Sequence, residues 1–263
     1  MHVIYSKMNR QSKLLIILLC FSLSVGLSLW IKHAIDSSQY EKAKVYNTAI
    51  QATESEVFNY AIDSRQGNVL GSGTFEAETP VGLPELKGTY FQIEKTKERY
   101  TRHTETYSCG TSDVPKTCTR TYYEWDYAGR DYVTADTVVL HGREYPSSLF
   151  SIGFKKRLDC DAITVNCKRA HSYEDTRGWF GYSEGDIRYY YHATDATFWG
   201  TILFNTYNGT IEGIDGLINV DSRTIGKIIK DVNNPHTGMV TFVVLLLCSI
   251  IITGVMIKEH IFM

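Results

Sequence analysis

Charge is missing from two long stretches of this sequence. Leu14 to Ile31 (LLIILLCFSLSVGLSLWI) and Gly238 to Ile257 (GMVTFVVLLLCSIIITGVMI) run for eighteen and twenty residues without an Asp, Glu, Lys or Arg. Their lack of charge argues against a proton relay or a charged ion pathway through either. Catalytic signatures are missing too: the chain has no GxSxG, no HExxH, no Walker loop and no GxGxxG. No enzyme is expected from that record, and neither a cofactor nor a metal. There is no CxxC, and the cysteine spacings do not fit zinc ligands. A basic excess is absent as well. Ala34 to Thr237 holds 22 Lys and Arg against 28 Asp and Glu, a net charge near −6 that gives no argument for nucleic acid. No repeat stands out.

What is present begins with the apolar runs themselves, each long enough to span a bilayer. The first carries no small-x-small cleavage pattern, since Trp30, Ile31, Lys32 and His33 follow it, so it reads as a retained anchor rather than a signal peptide. Lys7, Arg10 and Lys13 precede it with no acid, whereas Asp36 and Glu41 lie beyond it. The positive-inside rule then places both termini in the cytoplasm. The expected organisation is a cytoplasmic N-terminus (1–13), a first transmembrane helix (14–31), a helical stalk (34–62), a β-rich exported domain (63–237), a second transmembrane helix (238–257) and a cytoplasmic tail (258–263). The central domain would be periplasmic, extracellular or lumenal. Cys109, Cys118, Cys160 and Cys167 all fall in that region and are expected to form two disulfides. Three connectivities are open; Cys109 to Cys118 and Cys160 to Cys167 are preferred, because each pair brackets a turn.

Ser37 to Ile62 lacks Gly and Pro and spaces its apolar residues by threes and fours, which predicts a helix. From Tyr90 the period changes to two. GTYFQIEKTKERYTRHTETY alternates as a long strand, and CTRTYYEWDY can pair with it across the cysteine-bracketed turn. Asp136 to Leu140, Ser148 to Phe154, Asp186 to His192 and Thr197 to Asn205 read as further strands. GLINVDSRTIGKIIKDV reads as a last helix before the Asn233-Asn234-Pro235 break. The fold class is therefore α+β: two transmembrane helices flanking a mainly antiparallel β domain. Asn208-Gly209-Thr210 is both a glycosylation acceptor and a hairpin-turn signature, and the turn is preferred.

Aromatics are the distinctive content. Eighteen tyrosines occur, clustered in Tyr122-Tyr123-Glu124-Trp125-Asp126-Tyr127, in Trp179-Phe180-Gly181-Tyr182 and in Tyr189-Tyr190-Tyr191. Such side chains offer large contact area with a polar handle. Tyr122, Tyr123, Trp125, Trp179, Phe180, Tyr182, Tyr189 and Tyr191 are the expected interaction surface. Among the histidines, the HGRE stretch from His141 and the GDIR stretch from Gly185 look most catalytic, yet a hairpin turn and a strand start explain both.

The segments ERYTRHTE, YYEWD and GDIRYYY, set between an N-terminal anchor and a C-terminal membrane segment, resemble the order of strand motifs in the transmembrane protein 43 family. Glu98, Tyr100, Tyr123, Trp125, Gly185, Asp186 and Arg188 stand at the matching positions. The chain departs from that family in having one C-terminal span and in its cysteines. The resemblance implies a membrane scaffold that assembles with itself and with other membrane or envelope proteins. Two other readings fit the residues: a two-span ligand-gated channel subunit, and a membrane-bound hydrolase using His141 or His171.

Overall fold

The computed structural model describes residues 10–111, 114–175, 181–234 and 237–258. The chain divides into two units, one built from its two ends and one from Ile50–Thr224. In the first unit, helix α1 spans Arg10–Thr48, α3 spans Ile225–Asn233 and α4 spans Thr237–Ile257. Both apolar runs lie in helices long and apolar enough to cross a membrane. Several of their hydroxyls bond within the helix. Ser24 donates to Phe21 O, Ser28 to Ser24 O, Ser249 to Leu245 O and Thr253 to Ser249 O, so these groups are satisfied without water. Ser28 and Ile17 are the buried points of α1, and Gly238 of α4 sits where a Cβ would collide with the Asp36 carboxylate. Asn47 and Asn233 exchange amide hydrogen bonds of 2.7 and 3.0 Å, tying α1 to α3.

The helix expected over 34–62 does not run through. It ends at Thr48, Ile50–Ala52 forms strand β1, and a separate amphipathic helix α2 covers Ser55–Asp63. β1 is drawn off by a parallel ladder with the next strand, which buries Ala52; a tertiary pairing thus overrides the local period. The expected last helix is shortened likewise. Ile218–Asp221 is a strand with Ile218 and Val220 inward, and α3 begins only at Ile225.

The second unit is made of two sheets. The remaining strands are β2 (Asn68–Ala77), β3 (Tyr90–Ser108), β4 (Thr117–Thr134), β5 (Thr137–Leu140), β6 (Arg143–Pro146), β7 (Phe150–Ile152), β8 (Lys156–Arg157), β9 (Cys167–Lys168), β10 (His171–Asp175), β11 (Ile187–Asp195), β12 (Thr197–Asn205) and β13 (Ile218–Asp221). One sheet runs β6-β5-β2-β12-β13-β7 with β1 also on β2; the other runs β4-β3-β11-β10-β9 with β8 also on β11. Most pairings are antiparallel; β1 with β2 and β7 with β13 are parallel.

The first sheet and α2 enclose a core of Phe58, Phe75, Phe204, Val69, Ile202 and their neighbours. Gly71 and Gly73 of β2 let rings lie directly on the strand backbone: a Cβ at Gly71 would stand 2.7 Å from the Phe58 ring, and one at Gly73 the same distance from the His141 imidazole. A smaller core of Ile93, Tyr191, Leu158 and Ile163 underlies the second sheet. Cys109 and Cys118 form one disulfide and Cys160 and Cys167 another, with Cα separations of 5.8 and 5.5 Å. The preferred connectivity is the one observed. Asn208 lies in a turn closed by Gly209 N to Thr206 O, between the bridged residues Asn205 and Glu212, and Gly209 takes a φ of +75°.

Candidate functional site

β3 and β4 form a two-stranded ribbon in which Tyr100 faces Trp125, Arg102 faces Tyr123 and His103 faces Tyr122. A strand turns successive side chains to opposite faces, so neighbours in sequence part company here. The register slips by one residue between the pairs Lys97–Gly129 and Glu98–Tyr127, leaving Ala128 as the extra residue of a bulge. Gly129 supplies the backbone angle this needs, with φ at +146°. The bulge inverts the alternation of β4. Tyr123 and Trp125 thereby share a face with Glu98 and Tyr100.

On that face five rings make a contiguous cluster. Tyr100 stacks on Tyr123 with centroids 5.7 Å apart and meets Trp125 at 5.2 Å and Tyr182 at 5.6 Å; Tyr182 meets Trp125 at 5.1 Å and stacks on Tyr173 of β10 at 5.9 Å. The Arg188 guanidinium lies 4.3 Å from the centre of the Trp125 ring while its Nε donates to Glu98 at 2.6 Å. Its charge is thus fixed by a carboxylate and spread over an indole. Burial pushes the Tyr173 hydroxyl up to about 12, and its hydrogen bond to Tyr182 adds to this. Tyr123 and Tyr182 remain exposed.

The loop entering β11 supports the cluster from beneath. Buried Asp186 accepts the Ser183 N–H at 2.8 Å, its carbonyl accepts the Tyr100 N–H, and Gly185 N–H returns to Tyr100 O with φ at +95°. Glu98, Tyr100, Tyr123, Trp125, Gly185, Asp186 and Arg188, which are scattered in the sequence, therefore meet at one place.

The expected surface residues divide. Tyr123, Trp125 and Tyr182 belong to the cluster. Tyr122 lies on the opposite face of the ribbon, stacked 5.4 Å from His103. Tyr189 and Tyr191 are corrections: they are 9% and 1% exposed, packed into the second core. The period of two explains this, because Ile93 and Ala193 share their face and draw them inward. Tyr189 donates to Glu174 and lies 4.3 Å under Lys95, and the Tyr191 hydroxyl reaches Glu85 at 3.3 Å. Trp179 and Phe180 lie outside the described residues. Tyr173 and Glu98 carry the cluster without having been expected on the surface; the cue for Glu98 was its place opposite Arg188 on paired strands.

Two other constellations involve histidine. His103 Nε2, Glu124 and Asp126 lie within 4.8 Å of one another, the one grouping of metal-ligand type among the described residues. Asp126 Oδ2 already bonds His103 at 2.7 Å and accepts from Thr101, so an internal hydrogen-bond network accounts for it. His141, by contrast, lies beside Ser55 in a cleft of about 600 Å³. His171 sits 3.3 Å from Arg157 and its pKa is lowered by burial and by the charges of Arg188 and Arg157. Comparison of the chain with protein-family models, with curated proteins and with solved structures returns no match.

Proposed function

We propose that this chain is an integral membrane protein that spans the bilayer with α1 and α4, keeps both termini in the cytoplasm and exports the β domain as a self-assembling interaction module. The observation that carries the reading is the five-ring cluster with Arg188, set beside an edge strand. β4 ends its sheet, is eighteen residues long and is nowhere fully buried. Such an edge offers unpaired backbone groups to another strand, and Tyr, Trp and Arg are the side chains that concentrate binding energy at interfaces. The occupant is a second copy of this chain. β4 mixes Arg120 and Arg130 with Glu124, Asp126 and Asp131, and two antiparallel copies related by a two-fold axis at Tyr123 would set Arg120 of each opposite Asp126 of the other. Membrane lipid is the other partner, through the two apolar helices. The shared motif positions agree with the scaffold role that the resemblance to the transmembrane protein 43 family implies.

The test is the mass of the full chain in detergent micelles by light scattering, before and after Tyr123→Glu. The expected result is a defined oligomer that falls to monomer in the variant, because a carboxylate is placed inside the aromatic contact. A monomer in the unaltered chain overturns the reading.

A further inference from the structure

We infer that the exported domain also carries a serine-based acyl-transfer site, with Ser55 as nucleophile and His141 as general base. This is independent of the self-assembly reading and rests on other residues. β12 lines one edge of β2 along its whole length, whereas the other edge is shared: β1 pairs as far as Gly71 and β5 begins opposite Phe75. Residues 72–74 are left without a strand on that side, and the His141 ring fills the gap.

Its position is fixed from several directions. His141 and Gly142 form the two-residue turn between β5 and β6, with φ of +51° and +79°. The imidazole packs 4.4 Å from the Phe58 ring, and only the missing side chain of Gly73 lets it reach the strand. Nε2 lies 3.0 Å from the Ser72 carbonyl oxygen and Nδ1 lies 2.9 Å from Ser55 Oγ. A carbonyl oxygen only accepts, so Nε2 carries the proton and Nδ1 presents its lone pair. The Ser55 hydroxyl must then be the donor. A nucleophile bonded to a base that a third group holds in one tautomer is the arrangement that activates a hydroxyl.

Two further features complete it. Ser55 is the first residue of the nine-residue helix α2, so the first-turn N–H groups, which have no partner within the helix, and the positive helix end are near it and could serve a developing oxyanion. The cleft is walled by Thr53, Ser72, Thr74 and the partly exposed Trp199 indole, a mixed polar and aromatic lining that suits a small carboxylic ester. In the reaction, Ser55 Oγ bonds to the acyl carbon as its proton passes to Nδ1. Collapse of the tetrahedral oxyanion breaks the bond to the alcohol, which leaves with that proton. Water then attacks the acyl-serine, gives a proton to Nδ1, and the carboxylic acid departs as Ser55 regains its hydrogen.

The experiment is reaction of the full chain in micelles with a fluorophosphonate, followed by peptide mass spectrometry. The expected product is one adduct per chain on Ser55, absent in Ser55→Ala and formed at least about a hundredfold more slowly in His141→Gln. No adduct, an adduct on another serine, or a Ser55 adduct at undiminished rate in a folded His141→Gln overturns the assignment. Should His141→Gln unfold, Ser55→Cys decides: a thiol beside the imidazole is expected to alkylate at pH 7 at least about tenfold faster than in the urea-unfolded chain. Equal rates overturn it.

Discussion

At the scale of single residues, the second sheet is held by ion pairs as much as by apolar contact. Glu94 is 8% exposed, yet it receives Lys155 Nζ at 2.9 Å and Arg130 Nε at 3.1 Å. Burial pushes its pKa up; the hydrogen bond and charge of Lys155, with the charge of Arg130, outweigh this, and the net shift is downward. A carboxyl whose folded value lies below its unfolded one, about 4.3, stabilises the fold above that pH. The contribution disappears as pH falls through the folded value. Glu94→Gln is therefore expected to lower stability at pH 7 by about 1.5–3 kcal/mol, the range for hydrogen bonds to charged groups. The deficit should shrink steadily below about pH 4, because the unaltered chain then loses the same interaction. Thermal melts of both forms across that range check it; a deficit that stays constant down to pH 2 would refute the charge argument.

At the scale of elements, the bulge at Ala128 decides which side chains the β3–β4 ribbon offers. Deleting Ala128 removes only the extra residue: Lys97 still faces Gly129 and Glu98 still faces Tyr127, now in an unbroken ladder, so both halves of β4 keep their faces. Trp125 is then expected to stay beside Tyr100 and Arg188. The expected readout is a near-ultraviolet circular dichroism spectrum of the cluster that persists together with far-ultraviolet strand content; a large loss of the near-ultraviolet signal in a folded deletion variant sinks the idea. This bulge also shows what was legible in the sequence. The long strand from Tyr90, its partner across the disulfide, the strand Thr197–Asn205 and both apolar helices follow from period and composition, because each is long and locally consistent. The aromatic face was legible only in part. Tyr123, Trp125 and Tyr182 share a type with Tyr189 and Tyr191, and what separates them is register, which one inserted residue resets. The break of the expected stalk at Thr48 was hidden for a related reason: β1 exists only because β2, further along the chain, pairs with it. Ser55 was not singled out, because its partner His141 lies 86 residues away.

At the scale of the whole molecule, the apolar helices and the disulfides constrain each other. Disulfides persist in oxidising compartments, and the proposed two-span topology would put Cys109–Cys118 and Cys160–Cys167 on the side opposite both termini. The basic residues before the first apolar run and Lys258 after the second are the reason that proposal sets the termini in the cytoplasm. The remaining cysteines, Cys20 and Cys248, lie within the apolar runs, where an aqueous thiol reagent has poor access. This makes the topology testable with single added cysteines. Tyr207 sits exposed on the turn of the β domain and Lys258 just beyond α4. In intact cells or sealed, right-side-out vesicles, Tyr207→Cys is expected to react with a membrane-impermeant maleimide without permeabilisation. Lys258→Cys should react only after the membrane is opened. If both react from the same side, the chain does not cross twice, and the exported β domain, the oxidised cysteines and the two-dimensional confinement that favours self-assembly lose their common basis.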